Sequence, residues 1–221
     1  MTHAAASGNR LVLPGRHRAV VFDMDGILLD SEPLWIVVFG EVAARHGGSY
    51  GPEDRAGTLG QPLAGTSRYL AGKLGVSAAD MEAEIGAEMV ARYLAGPPLV
   101  AGAGELVAAL KGRLPMAVAT NTIGEIASRA LTASGLAGFV AVVSGADLGH
   151  PKPDPAVYVE ACRRLGVDPA DAVAFEDSAV GIRSALDAGL TVVGVPQEGV
   201  DLSEAGAHIV LASLWDVVVA F

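Results

Sequence analysis

The chain reads Ala19-Val20-Val21-Phe22-Asp23-Met24-Asp25-Gly26 near its start, and this stretch decides the fold. Its first four residues are apolar and stop abruptly at Asp23. Continuous apolar runs of this kind, in contrast to alternating ones, are typical of strands that are buried on both faces. We therefore predict a buried strand that delivers two carboxylates, Asp23 and Asp25, to its carboxyl end.

Similar apolar runs recur along the chain and predict further strands. They cover residues 116–119, 139–143, 172–175, 191–195 and 208–211. Apolar residues at helical spacing lie between them, over 103–110, 124–134, 155–165 and 179–188. Gly135, Gly166 and Gly189 stand where helix ends favour left-handed backbone. This alternation predicts an α/β fold, a parallel sheet with helices on both faces.

Residues 33–98 interrupt the alternation of strands and helices. Their pattern predicts helices only, over 33–45, 65–74 and 78–95. Ser31 and Ser77 are the expected N-caps of the first and third of these helices. We interpret the segment as an inserted helical subdomain that forms a lid over the sheet. The predicted division is a loosely ordered leader at 1–17, a catalytic core at 18–32 and 99–221, and a cap at 33–98.

Composition excludes several classes of protein. The 221 residues are 51% apolar and 18% charged, which permits a sizeable core and argues against wholesale disorder. A formal net charge of −10 repels nucleic-acid backbones and anionic lipid, so we expect neither as a partner. No signal peptide and no apolar run of about 18 residues is present, so no membrane span is expected. Cys162 is the one cysteine, and a reducing, cytoplasmic location is predicted.

Polar residues follow four consecutive predicted strands of the core. In open parallel sheets the ligand site forms at the carboxyl ends of the strands. The residues in question are Asp23 and Asp25, then Thr120 and Asn121, then Lys152 in a loop, then Glu176 and Asp177. Each group alone has an ordinary explanation as a turn, a loop lysine or a helix cap. Such explanations would not place polar groups at four successive strand ends together, so their joint occurrence predicts one shared site.

The chemistry of this set suits phosphoryl transfer. That reaction needs a nucleophile, neutralisation of charge on the phosphoryl oxygens and a proton donor for the leaving group. Asp23 and Asp177 supply hard oxygen ligands suited to Mg²⁺, and Asp23 could attack phosphorus to form an aspartyl-phosphate. Asp25 could protonate the leaving oxygen and later activate water. The residues expected to bind or approach the phosphoryl group are Gly26, Thr120 and Lys152.

Four segments resemble the motifs of the haloacid dehalogenase-like superfamily. They are Val21 to Glu32, Ala119-Thr120-Asn121, Lys152-Pro153-Asp154-Pro155, and Phe175-Glu176-Asp177-Ser178 with Gly181. Their order and spacing match from Ala19 to Pro196, which is nearly the whole chain. The inserted helices are similar to the α-helical cap of the subgroup that contains β-phosphoglucomutase, sugar-phosphate phosphatases and phosphoglycolate phosphatase.

The resemblance implies a Rossmann-like core and an obligate Mg²⁺. It implies Asp23 as the nucleophile and Asp25 as the general acid and base, with the Asp25 backbone carbonyl also on the metal. Asp177 would be a metal ligand, and Glu176 would ligate directly or through water. Asn121 would orient the phosphoryl group or Asp23. True haloacid dehalogenases do not use the second acid of this motif, so the presence of Asp25 favours phosphate chemistry.

The alternative enzyme is a β-phosphoglucomutase-like mutase, which must hold a second phosphate in the cap. Such mutases place a basic residue after a glycine in the substrate loop of the cap. The comparable segment here, residues 58–63, carries the neutral Gln61. This difference favours a hydrolase, although Arg55, Arg68 or Lys73 could compensate. No lysine of the insertion is convincingly placed for the Schiff base of a phosphonatase, and Lys73 is the one that stays open for that role.

Three further classes remain as alternatives. A glycosyltransferase also holds a metal with a strand-end D-x-D motif but does not need Thr120, Lys152 and Asp177. A non-catalytic phosphometabolite-binding protein or a receiver-like switch is also possible, although receivers lack the long insertion.

The expected partner is a small phosphorylated metabolite, a sugar or sugar-alcohol phosphate by analogy with the subgroup. The cap residues expected to face it are Trp35, Val38, Gln61 and Tyr69; the oligomeric state is left open.

Overall fold

A parallel sheet of six strands forms the centre of the computed structural model, which describes residues 10–58, 61 and 63–220. Every residue of the four central strands is buried, as a sheet covered on both faces requires. The α/β prediction is confirmed. The strands in spatial order are β4 (Phe139–Ser144), β3 (Met116–Thr120), β2 (Ala19–Phe22), β5 (Ala172–Glu176), β6 (Thr191–Gly194) and β7 (Ile209–Val210).

The strand order places a switch point beside β2. The chain runs from β2 outward through β3 to β4, then returns to the other side of β2 to add β5, β6 and β7. Phe22 lies level with Phe175 of β5 and with Val118 of β3. Because these strands are parallel and in register, the residues that follow them meet at one edge, where open α/β sheets bind their ligands.

The two faces of the sheet carry side chains of different size. One face holds larger residues, and there the rings of Phe22 and Phe175 stack with centroids 5.3 Å apart. Helices α5 (Ala103–Leu110) and α6 (Gly124–Ala133) cover this face. The opposite face is lined by Ala19, Ala117, Ala119, Ala172 and Ala174.

Helices α8 (Ala156–Leu165) and α9 (Ala179–Asp187) cover the alanine face. Alanine side chains allow a helix to approach a sheet closely, because they occupy little of the space between the two layers. Tyr158 of α8 is consequently buried against the strand ends. A short helix, α7 (Gly145–Leu148), follows β4, and Gly135, Gly166 and Gly189 have positive φ at helix ends, as predicted.

The helical insertion, defined here as residues 32–95, contains all three predicted helices. Its members are α1 (Glu32–Arg45), α2 (Pro52–Thr58), α3 (Leu63–Leu74) and α4 (Ala78–Ala95). Ser77 caps α4 as predicted, because its hydroxyl accepts a bond from the Asp80 N–H at 3.4 Å. The prediction for Ser31 is wrong in its mechanism. Ser31 stands at the N-cap of α1 but makes no side-chain cap bond, since its backbone is already helical (φ −90°, ψ −18°).

Helix α2 was not predicted, because Pro52–Thr58 has no periodic apolar pattern. Polar contacts hold it instead. The Asp54 carboxylate accepts a bond from the Gly51 N–H at 2.7 Å and pairs with the Lys73 ammonium at 2.7 Å. These contacts tie the start of α2 to α3.

The predicted leader contains a strand that the sequence pattern did not indicate. Leu11–Leu13 (β1) pairs in parallel with Val217–Val219 (β8). These two strands form a sheet of their own, separate from the six-stranded sheet. Three residues are too few for a periodic signal, and the partner lies about two hundred residues away. Residues 1–9 of the predicted leader lie outside the described residues.

Within the described part of the chain, no helix has the length and apolar content needed to cross a membrane.

We expect Ala174→Leu to destabilise the fold, because leucine would overfill the layer between the alanine face of the sheet and the helices α8 and α9. The free energy of unfolding should fall by about 1–3 kcal/mol, measured by urea denaturation. Ala79→Leu, at an exposed position of α4, is the matched control and should stay within about 0.5 kcal/mol of the parent. An Ala174→Leu variant as stable as the parent would contradict tight packing on the alanine face.

Candidate active site

A buried lysine joins two of the predicted strand ends. The Lys152 ammonium donates to Asp23 Oδ1 and to Glu176 Oε1, each at 2.7 Å. Asp23 directly follows β2, Glu176 is the last residue of β5, and all three side chains are buried. Buried charges need partners of this kind, since an unpaired charge in a protein interior is strongly unfavourable.

Glu176 is held from several sides beneath the site. Its Oε1 also accepts a bond from the Tyr158 hydroxyl at 2.6 Å, and its Oε2 accepts one from the Ser178 hydroxyl at 3.1 Å. The ring of Tyr158 lies under the Lys152 ammonium, 5.0 Å from ring centroid to nitrogen. A side chain at Gly181 would collide with the Glu176 carboxylate, which explains the glycine there. Glu176 therefore fixes the position of Lys152.

The pKa values of the site reflect burial and an excess of carboxylates. Burial raises the pKa of Asp23 well above its ordinary value, against the opposing effect of Lys152 and with the charges of Glu176 and Asp177 adding to the rise. Burial, followed by the charge of Glu176, raises the pKa of Asp177 to about 7. Burial alone would lower the pKa of Lys152, but Asp23 and Glu176 together raise it above its ordinary value. One ammonium does not balance these acids.

The carboxylates fit a divalent metal ion. Asp23, Glu176 and Asp177 each offer an oxygen atom, and the three oxygens lie within 4.8 Å of one another. Such oxygen donors suit a hard cation such as Mg²⁺, whose charge would offset the excess of acids. Gly26 leaves the room for this cluster, because a Cβ at Gly26 would overlap the Asp177 carboxylate.

Gly26 has local structural reasons to be glycine, and the approach of its backbone to a phosphate stays a prediction. Its N–H donates to the Leu29 carbonyl at 2.8 Å and closes a turn in which Gly26 has φ +76°. Its carbonyl accepts a bond from the side chain of Gln197, a residue after β6 that the sequence analysis did not select. The glycine is required by the positive φ and by the nearby Asp177 side chain.

The residues after β3 fix neighbouring parts of the site. Thr120 is buried, and its hydroxyl accepts a bond from the Thr122 N–H at 3.0 Å. Asn121 Oδ1 accepts a bond from the Lys152 N–H at 2.8 Å, and its Nδ2 faces the Lys152 carbonyl at 3.5 Å. Asn121 thus holds the backbone that carries Lys152, and its role in orienting the phosphoryl group or Asp23 stays a prediction.

Asp25 has two donors that the sequence analysis did not identify. The Tyr93 hydroxyl of α4 donates to Asp25 Oδ1, and the Thr122 hydroxyl donates to Oδ2 at 3.2 Å. Burial, followed by the charge of Asp25, raises the pKa of Tyr93. A tyrosine in an amphipathic helix has the pattern of a core residue, so no local signal pointed to this contact.

A cavity of about 400 Å³ opens above these residues at the strand ends. We call it the strand-end cavity. The predicted residues that line it are Asp23, Asp25, Gly26, Thr120, Asn121, Lys152 and Asp177. Glu176 does not line it, since it lies fully buried beneath.

A second cavity of about 330 Å³, the insertion cavity, lies among the helices of the insertion and shares Glu32 and Trp35 with the first. Of the predicted substrate-facing residues, Trp35 lines both cavities and Gln61 lines the second. Val38 is fully buried, and Tyr69 lines neither cavity. The Tyr69 hydroxyl donates to Asp54 at 2.9 Å. The neighbours of Gln61 at positions 59, 60 and 62 lie outside the described residues.

The fold and the strand-end carboxylates around a buried lysine define an α/β enzyme with a helical insertion. The chain belongs to the haloacid dehalogenase-like hydrolases, whose family model matches residues 20–195. The predicted family is confirmed, and with it the prediction of a hydrolase.

Three relatives illustrate the similarity. The validoxylamine A 7′-phosphate phosphatase of Streptomyces hygroscopicus subsp. limoneus is 30% identical, over 91% of this chain and 96% of that protein. The fructose-1-phosphate phosphatase YqaB of Escherichia coli is 32% identical, over 81% and 97% respectively. The crystal structure of a putative β-phosphoglucomutase from Thermotoga maritima aligns with a TM-score of 0.79 at 31% identity, covering 88% of this chain and 94% of that one.

We expect Lys152→Met to destabilise the protein in metal-free buffer, because it leaves Asp23 and Glu176 buried without their cation. The loss should be about 3 kcal/mol or more in urea denaturation at neutral pH with EDTA. Adding Glu176→Gln to this variant should recover part of the loss, since one of the unpaired charges is removed. A single variant as stable as the parent would show that the ion pairs do not support the fold.

Proposed function

We propose that this protein is a Mg²⁺-dependent phosphatase that cleaves a small phosphorylated metabolite through an aspartyl-phosphate on Asp23. The observation that carries the proposal is the position of Asp23 at the cavity floor, bonded to Lys152 at 2.7 Å and clustered with Asp177. This arrangement provides a nucleophile, a fixed cation and metal ligands at one point. The phosphatase names of the 30% and 32% identical relatives support it.

Asp23 and Asp177 would hold the Mg²⁺, together with the backbone carbonyl of Asp25. Glu176 would act mainly through Lys152 and at most through a water on the metal, because both its oxygens already accept bonds. When bound, the ion supplies positive charge to the phosphoryl oxygens and reduces their repulsion of the Asp23 carboxylate. Lys152, which also lines the strand-end cavity, adds a second and permanent positive charge next to Asp23.

The first step forms the Asp23 intermediate. An Asp23 oxygen donates an electron pair to phosphorus, and the bond between phosphorus and the ester oxygen breaks with its electron pair on that oxygen. Asp25 gives its proton to this leaving oxygen, so that a neutral alcohol departs. Thr120 and Lys152 stabilise the transferring group.

The second step restores the enzyme. Asp25, now ionised, takes a proton from a water molecule that attacks phosphorus. The bond between phosphorus and Asp23 breaks, its electron pair returns to the Asp23 carboxylate, and phosphate leaves. We propose that the helical insertion acts as the cap that limits other water during this cycle.

Asp23→Asn should reduce phosphate release by at least about a thousandfold, since an amide is a poor nucleophile. The measurement is phosphate release from a panel of sugar phosphates, sugar-alcohol phosphates and nucleotides, with Mg²⁺ and with EDTA. The parent should lose activity in EDTA and regain it on addition of Mg²⁺. Substantial release by Asp23→Asn would remove Asp23 from the nucleophile's role.

The charges of the insertion favour a sugar or sugar-alcohol monophosphate over a bisphosphate. Arg55, beside the insertion cavity, pairs with Glu32 at 2.8 Å. Lys73 bonds both oxygens of Asp54 at 2.7 Å, and this bond lowers the pKa of Asp54 to about 2. Arg68 is exposed and lines neither cavity. The three cations considered for a second phosphate are thus paired with carboxylates or distant from the cavities, which disfavours the mutase alternative.

The cytoplasmic location stays a prediction.

Glu32→Gln should release Arg55 and increase the relative rate on bisphosphates. We expect kcat/KM for fructose 1,6-bisphosphate, divided by that for fructose 1-phosphate, to rise by about fivefold. Arg55→Gln, which removes the cation itself, is the matched control and should not raise this ratio. An unchanged ratio in Glu32→Gln would show that the ion pair does not set the preference.

A further inference from the structure

The carboxylate of Asp25 bridges two parts of the chain. Its Oδ1 accepts the hydroxyl of Tyr93, which belongs to the last turn of α4, and its Oδ2 accepts the hydroxyl of Thr122, which follows β3. Tyr93 is 5% exposed, whereas Asp25 lines the open strand-end cavity. One oxygen of the carboxylate is therefore anchored by a buried group of the insertion.

The end of α4 gives Tyr93 a fixed position against the core. Gly96 follows the helix with φ +89°, and a Cβ there would lie 2.8 Å from the Ala133 carbonyl oxygen at the end of α6. This close backbone approach joins α4 to a core helix three residues beyond Tyr93. The side chain itself packs in the apolar cluster that includes Met89. The position of the Tyr93 hydroxyl is thus fixed by two contacts: the packing of its ring in the apolar cluster and the close approach of the α4 end to α6 at Gly96.

We propose that Tyr93 is a positioning residue that holds the Asp25 carboxylate in the orientation needed for proton transfer to the leaving oxygen. The inference rests on the proposed function, in which Asp25 is the acid. A carboxylate on a short side chain turns freely about its Cβ–Cγ bond unless both oxygens are bound, and misorientation of a catalytic group is costly to the rate. Because the buried Tyr93 hydroxyl anchors Oδ1, Oδ2, which accepts the Thr122 hydroxyl at 3.2 Å, is left as the oxygen that exchanges the proton.

The dependence of the rate on the leaving group separates positioning from a structural role. p-Nitrophenolate departs readily without a proton, whereas the more basic phenolate benefits from protonation by an acid. The constant kcat/KM reports steps up to the first irreversible one, which is formation of the aspartyl-phosphate, so later hydrolysis does not affect it. The two esters have similar size, and a general loosening of the site would slow both equally.

Tyr93→Phe removes the hydroxyl and keeps the ring. With Mg²⁺, we expect kcat/KM for phenyl phosphate to fall by about tenfold and that for p-nitrophenyl phosphate by less than about twofold. Thr122→Val, which removes the other donor, should cause a smaller loss with the same selectivity, and it provides a second test if Tyr93→Phe does not fold. Tyr69→Phe is the matched control, because its hydroxyl bonds Asp54 within the insertion, and its ratio of the two constants should equal that of the parent.

Two results would overturn the inference in distinguishable ways. Equal losses on both esters in Tyr93→Phe would make Tyr93 a structural residue and leave the proposed function intact. A parent protein that releases phosphate neither from these esters nor from the panel of sugar phosphates, sugar-alcohol phosphates and nucleotides would overturn the proposed function and the role of Tyr93 together.

Discussion

The burial of the Lys152 ammonium between two carboxylates is the interaction on which the rest of the site depends. Asp23 and Glu176 each lie 2.7 Å from its nitrogen, so the ammonium is balanced by two acids. Asp25 and Asp177 add two more carboxylates within the same strand-end region. The site thus carries more negative charge than its own lysine can offset. Such an arrangement costs stability in isolation and is favourable for binding a cation and for attack on an electrophile.

The sheet is built so that these charges meet. Parallel pairing sets Phe22 level with Phe175, and the next residue of each strand is Asp23 and Glu176 respectively. The alanine face lets α8 come close enough for the Tyr158 hydroxyl to reach Glu176. Small side chains in the core, which carry no chemistry themselves, therefore determine where the ammonium sits.

The sequence predicted what depends on local pattern and strand polarity. The buried strands, the long helices of the insertion and the gathering of Asp23, Lys152 and Asp177 at one edge all follow from apolar runs and from the parallel sheet. Tyr93 and Thr122 could not be found in this way, because their contacts with Asp25 cross 68 and 97 positions of the chain and leave no periodic signal. The sequence also could not show which hydrogen bonds were already used, as for the Gly26 N–H that closes its own turn.

Under the proposed function, pairing of charges would also explain how an acidic chain selects a substrate with one phosphate. The net charge of −10 repels anions in general, so binding must come from a local cation. Lys152 faces the strand-end cavity and is held there by residues beneath it, whereas Arg55 is paired with Glu32 and Lys73 with Asp54. A substrate with one phosphate and a neutral remainder places its charge where the positive charge lies. A second phosphate in the insertion would have to displace a carboxylate from its partner, Glu32 from Arg55 or Asp54 from Lys73. The need for that exchange would make the insertion selective for monophosphates without any residue that recognises the sugar.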